Sequence, residues 1–185
     1  MNTADSLRPT DDGQVARLMG LALPAVALPA TDGRSVDLSR LPGWRVIYVY
    51  TWTGRPGLAL PDDWDAIPGA HGSTPQSEAF RDHYDEFEAL GAGMFGLSAQ
   101  PSDFQREARD RLGLPFELLS DSEFRLKHLL RLPTFFAGPR EFYKRLTLVA
   151  RDGRIEKAFY PVLSPERNAD EVLAWLRAAG RTGAR

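Results

Sequence analysis

The run Trp44-Arg45-Val46-Ile47-Tyr48-Val49-Tyr50 constrains the fold more than any other stretch of the 185-residue chain. It is a continuous apolar, β-branched and aromatic segment, followed by a loop rich in proline and glycine from about Thr53 to Gly72. A strand of this composition offers no polar face to water, so it reads as a central strand of a sheet covered on both sides. Covering both sides takes helices, and the downstream spacing supplies them. Phe80, Tyr84, Phe87 and Leu90 share one face of a long helix, with Arg81, Asp82, Asp85 and Glu86 opposite. Phe104, Ala108 and Leu112 stripe a second, shorter helix. A third is predicted over about 123–131 with Leu126, Leu129 and Leu130 inward, and a fourth opens at Ser164-Pro165 and buries Ala169, Val172, Leu173 and Leu176.

Strands alternate with these helices. Met94-Phe95-Gly96-Leu97 and Phe116-Glu117-Leu118-Leu119 precede the second and third. Asp32-Gly33 and Asp152-Gly153 are hairpin signals, the first between Ala25-Val26-Ala27-Leu28 and Ser35-Val36-Asp37-Leu38. The second lies between Leu146-Thr147-Leu148-Val149-Ala150 and Ile155-Glu156-Lys157-Ala158-Phe159. The expected architecture is an α/β sandwich, a central mixed sheet flanked by helices. The expected organisation is a polar N-terminal arm over 1–20 with one short helix around 14–18, a single domain over 21–179, and a tail over 180–185.

Composition narrows the chemistry. A net charge of −2 and 26% charged residues give no electrostatic case for nucleic acid or an anionic membrane. No apolar run approaches the roughly 18 residues of a membrane-spanning helix, the opening residues are polar, and cytoplasm is the expected location. The sequence contains no cysteine, which excludes disulfides, CxxC redox motifs and cysteine-based zinc sites. The three histidines, His71, His83 and His128, do not pair at helical spacing, and no metal or cofactor is expected. Asp82-His83-Tyr84-Asp85-Glu86 reads as a solvated helix face.

One segment carries specific chemistry: Gly72-Ser73-Thr74-Pro75-Gln76-Ser77-Glu78-Ala79-Phe80-Arg81-Asp82. Thr74 is the expected N-cap of the long helix and Pro75 its first residue, so Ser73 lies where a helix N-terminus favours an anion. The segment resembles the active-site run of the peroxiredoxins, specifically the bacterioferritin-comigratory, or Q-type, branch. There the run reads Gly-Cys-Thr-x-Gln/Glu-x-Cys-x-Phe-Arg-Asp. Further matches follow in order: Gly96-Leu97-Ser98, Pro115-Phe116-Glu117-Leu118-Leu119-Ser120-Asp121 and Arg145-Leu146-Thr147-Leu148-Val149. The likeness covers residues 20 to 178 and implies a thioredoxin-like fold. It also implies reduction of peroxides by a cysteine that a thioredoxin-type thiol regenerates.

The resemblance assigns positions as well. Ser73 stands at the peroxide-attacking cysteine, Glu78 at the resolving one, and Arg145 at the arginine that steadies the nucleophile. Thr51 stands where the active-site loop has proline, and Ala70 where it has threonine. Gly72 and Thr74 complete the expected pocket. The residues from Thr53 to Gly72 look like an insertion. A serine hydroxyl is far less acidic than a thiol and has no sulfur oxidation ladder, so thiol-peroxidase turnover is not expected. A natural pseudo-enzyme, an engineered serine form of a one-cysteine enzyme and a non-catalytic binding or regulatory module all remain open. The scatter of departures at Thr51, Ala70 and Ser73 favours natural loss. Hydrolysis by Ser73 with His71 as base and Asp65 or Glu78 as orienter lacks a Gly-x-Ser-x-Gly elbow; a helix cap or a relic of a cysteine is simpler. Arg145 reads equally as a buried structural arginine paired with a carboxylate. A small anion is the ligand expected at the Ser73 helix N-terminus. Trp44, Tyr48, Tyr50, Trp52 and Phe80 read as core or pocket lining.

Overall fold

The computed structural model describes residues 8–182. A short antiparallel hairpin leads the domain, β1 (Ala27–Pro29) and β2 (Ser35–Asp37), turned at Asp32-Gly33 with Gly33 at φ 87°. Next, β3 (Trp44–Val49) forms the middle strand of a five-stranded sheet. Beyond a long loop come α1 (Ser73–Asp82) and α2 (Tyr84–Ala89), then β4 (Ala92–Ser98), parallel to β3. The chain returns through α3 (Ser102–Leu112) to β5 (Glu117–Ser120), parallel to β4. Then α4 (Arg125–Leu130) precedes a separate hairpin of β6 (Thr134–Ala137) and β7 (Arg140–Tyr143). On the other side of β3, β8 (Leu146–Arg151) runs antiparallel and carries β9 (Arg154–Phe159) at the edge. The last helix, α5 (Asn168–Thr182), extends past the expected domain end at 179. The strand order β5-β4-β3-β8-β9 is the mixed, thioredoxin-like sheet that the sequence pattern and the resemblance together predict.

The alternation along β3 divides the core. Ile47 and Val49 face one layer with Leu97, Leu119, Leu146 and Leu148, while Val46, Tyr48 and Tyr50 face the other with Phe80, Phe87, Val172 and Leu176. Both layers are closed, as an apolar strand of this kind requires. Within the segment expected as a polar arm, Val15 and Leu18 are buried in the first layer, and Ala16–Leu18 form a single 3-10 turn. Asp12 anchors this segment by accepting hydrogen bonds from Lys144 Nζ (2.8 Å) and Tyr160 Oη (3.0 Å). Burial alone would raise the Asp12 carboxyl, but bonds from Lys144, the Gln14 backbone and Tyr160 outweigh it and hold it below its ordinary value. Among the described residues, no helix is long and apolar enough to cross a membrane.

Several expectations are corrected. The long helix is two helices, broken at His83 (φ −102°, ψ 8°), although Phe80 and Phe87 still share the buried face. The break lets both rings reach the sheet with their centroids 5.8 Å apart. Leu129 is 61% exposed rather than inward, because a helix of six residues presents only its i, i+4 pair, Leu126 and Leu130, to the core. The loop from Thr53 to Gly72 holds a 3-10 turn at Trp64–Ala66 that buries Trp64 against Phe142. The β6–β7 hairpin was not anticipated. Its signal was Gly138-Pro139 between two short runs containing Phe135, Phe136, Phe142 and Tyr143.

Gly96 shows why its motif needs glycine. A Cβ there would lie 2.5 Å from Leu118 Cδ2 and 2.7 Å from the ring of Tyr48, so the two side chains close over a bare backbone. Gly96→Ala is expected to destabilise the fold by about 1–3 kcal/mol in denaturant melts. An unchanged midpoint would mean that the Tyr48–Leu118 packing yields freely.

Candidate functional site

The site forms where β3 ends beside the start of β8. Thr51 follows β3, Arg145 precedes β8, and the loop ending at Gly72 feeds Ser73 into the N-terminus of α1. Gly72 adopts φ 109°, a left-handed turn that aims the chain into the helix. A side chain at Gly72 would strike Pro165 at 2.6 Å, which adds a steric reason for glycine. The helix starts one residue before the expected cap: Gly72 is the N-cap, and the Gln76 N–H donates to the Gly72 carbonyl at 3.0 Å. Pro75 is therefore the third helical residue. It is tolerated there because the first turn has no intrahelical partner for its N–H groups. Thr74 is half-buried and does not cap.

Arg145 determines the orientation of everything around it. It is 4% exposed, and no carboxylate pairs with it among the described residues, contrary to the structural reading that gave it an acidic partner. Its guanidinium can only donate. Nη1 donates to Gln76 Oε1 at 2.6 Å, and Nη2 to the His71 carbonyl at 2.9 Å. With its oxygen turned to Arg145, Gln76 must direct Nε2 elsewhere, and it donates to Asn168 Oδ1 at 3.0 Å. That oxygen also accepts from Thr147 Oγ1 at 2.6 Å, leaving Asn168 Nδ2 without a partner among the described residues. Burial lowers the Arg145 pKa to about 9, so the group is still charged at neutral pH.

The same donor logic fixes Ser73, which is 3% exposed. Thr51 Oγ1 donates its proton to the Ala70 carbonyl at 2.7 Å. The 2.9 Å contact between Thr51 Oγ1 and Ser73 Oγ must then be donated by Ser73. Ser73 Oγ accepts from the Trp52 N–H at 3.2 Å and, weakly, from Arg145 Nη2 at 3.4 Å. Its proton and lone pairs are occupied, and no base touches it. His71 turns outward to Asp65, with Nε2 and Oδ1 2.7 Å apart, so the serine–histidine–carboxylate arrangement does not form. His83 likewise pairs with Glu86 and Asp170 on the surface. Among the described residues, no three of His, Asp and Glu group closely enough to hold a metal ion.

Ser73, Arg145, Thr51, Ala70 and Gly72 thus meet at one point. Glu78 does not join them: it lies further along α1, half-buried, with no side-chain hydrogen bond or ion pair among the described residues. Sequence reasoning missed Gln76, Thr147 and Asn168, the neutral relay behind Arg145. Gln76 and Thr147 fall inside quoted motif runs without a role assigned to them, and Asn168 sits in a helix read only for its apolar neighbours.

A family model described as Redoxin matches residues 19–173. The chain belongs to the redoxin family. Within it, the relatives it matches include peroxiredoxins Q, as the motif reading implied. The chloroplastic peroxiredoxin Q of Suaeda salsa is 29% identical over 158 residues, covering 84% of this chain and 65% of that protein. The one from Oryza sativa subsp. japonica is 29% identical over 169 residues, covering 90% of this chain and 69% of its own. This redoxin chain therefore spans about two thirds of those relatives' length. Among solved structures, peroxidoxin BcpB from Mycobacterium tuberculosis superposes with a TM-score of 0.70 at 24% identity, over 86% of this chain and 96% of that one. A cysteine-to-serine mutant of Xylella fastidiosa PrxQ gives 0.71 at 22% identity, over 87% and 96%. At these identities the superpositions establish the shared fold.

Thr51→Val keeps the shape and removes the hydroxyl that links Ala70, Ser73 and Arg145. It is expected to cost about 1–3 kcal/mol, because buried polar groups lose their partner. Thr74→Val, at a half-buried position with no such bond, should stay within about 0.5 kcal/mol. Equal effects in urea melts would show that the Thr51 hydroxyl does not hold the site.

Proposed function

We propose that this redoxin-family chain does not carry out the family's thiol-dependent peroxide reduction. In this reading it keeps the pocket as a non-catalytic site for a small anion. The observation that carries it is the state of Ser73 Oγ, which occupies the nucleophile's position with its proton given to Thr51 and with Trp52 N–H and Arg145 on its lone pairs. Reducing a peroxide needs a thiolate that accepts oxygen and a thiol that reverses the step. The sequence offers no such thiolate, and the reversing thiol comes from the reductant. What supports anion binding is the remaining electrostatics: a buried guanidinium with no acidic partner among the described residues, beside the N-terminus of a ten-residue helix.

Natural loss is the origin we favour. An engineered serine in a one-cysteine enzyme would leave the rest of the loop as the family has it. Here Thr51 stands in place of proline, and its hydroxyl bonds both the Ala70 carbonyl and Ser73. The three departures form one hydrogen-bonded unit, which suits a site that has adjusted to serine.

Peroxide consumption by the metal-free protein, with dithiothreitol or a thioredoxin system as reductant, is expected to match buffer. Saturable turnover would reject the proposal.

A further inference from the structure

Beside Arg145 lies a cavity of about 380 Å³, bounded by the N-terminal segment 8–10, the loop 67–69, Phe135, Lys144 and Tyr160. We infer that it is a binding site for a small carboxylic acid anion with a short apolar body, its charge on Arg145 and Lys144 and its body on Ile67, Phe135 and Tyr160. The inference rests on the reading of Arg145 as an anion receptor and adds what the ligand must be.

Three observations carry it. The first is charge. Arg8, Lys144 and Arg145 all line the cavity, and the acid engaged among them is Asp12, on Lys144 and Tyr160. Asp65 borders the adjoining cavity of about 230 Å³, where it is bonded to His71. Three cations against one carboxylate leave a positive surplus. The most buried of them, Arg145, also has an Nε with no partner among the described residues. A buried guanidinium without an acid is costly, so an anion reaching it should bind well.

The second is the wall. Ile67, Phe135 and Tyr160 are half-buried and present apolar surface beside the cations. Phosphate or sulfate would use the charge and leave this surface wet. A carboxylate with a short hydrocarbon body would use both. The third is size. A hydroperoxide head group would fill little of about 380 Å³, whereas small-ligand pockets begin at about 300 Å³. Pro9 closes the space by seating against Gly69, where a side chain would come within 3.3 Å of it. Asp12 holds that segment from the other end, so residues 8–12 form a roof.

Calorimetry of the full chain with formate, hexanoate and neutral hexanol tests the inference without any substitution. Hexanoate is expected to bind at least about tenfold tighter than formate, since each buried methylene contributes roughly 0.8 kcal/mol and some of that is lost to ordering. Hexanol should not displace it. Phe135→Ala should narrow the hexanoate advantage to about threefold or less and leave formate unchanged, and Arg145→Met should weaken both acids by about tenfold or more. Should Arg145→Met fail to fold, the ligand series on the unaltered protein still decides. Equal affinity for formate and hexanoate would overturn this inference and leave the small-anion reading standing. Displacement by hexanol would overturn it in favour of a plain apolar pocket, and no binding of either acid would overturn both. Peroxide turnover would reject the proposed loss of activity without altering these affinities.

Discussion

A charged guanidinium, buried with no carboxylate beside it among the described residues, organises this end of the molecule. Arg145 can only donate, so every neighbour must turn an oxygen toward it, and each then has its other bonds determined. Gln76 presents its carbonyl and passes its amide to Asn168, which also accepts from Thr147. His71 contributes its backbone carbonyl, and its ring is left to the surface. The result ties β8, α1, α5 and the loop before α1 together through neutral groups. Since these bonds only partly offset the desolvation of a cation, the arrangement stays electrostatically short of a negative charge.

That shortage links the fold to the family chemistry. A redoxin that reduces peroxides needs a position where an anion is stabilised, and a helix N-terminus beside a buried arginine provides one. In this chain the position holds a serine, whose proton stays on oxygen at any physiological pH. The electrostatic arrangement does not depend on a thiol because it is part of the packing: Arg145 and Gln76 are as buried as the apolar residues beside them. A redoxin chain without a thiol can therefore keep the pocket at little cost. On this account the remaining capacity is recognition, and the cavity under residues 8–10 is where it is exercised.

Much of the fold was legible from spacing. The apolar run of β3 demanded two covering layers, and the strand–helix alternation gave the topology once the family motifs fixed the sheet type. The errors have local causes. The helix break at His83 leaves the hydrophobic face in phase, so periodicity passed over it. The Leu126-Leu129-Leu130 pattern is too short to discriminate faces, so the outward turn of Leu129 is not legible in it. The β6–β7 hairpin fell in a stretch read only for its neighbours. At the site, Ser73, Arg145 and Gly72 could be placed from motifs. Thr51 was read as a lost proline, yet its hydroxyl is the hinge of the network, because a side chain's hydrogen-bond partners depend on segments that meet only in three dimensions. Asn168 left no sequence signal for the same reason, and Thr147, although inside the Arg145–Val149 match, gave no sign of its partner.

The central claim is that the pocket still favours an anion at position 73. The pKa of the thiol in Ser73→Cys, followed by thiolate absorbance against pH, measures this directly. Burial in apolar surroundings would raise a thiol, whereas Arg145 and the N-terminus of α1 lower it. The account predicts a value at least about one unit below the free-thiol value of roughly 8.5, and a return toward that value when Arg145→Met is added. A thiol titrating at or above about 8.5 in the folded single variant would contradict it.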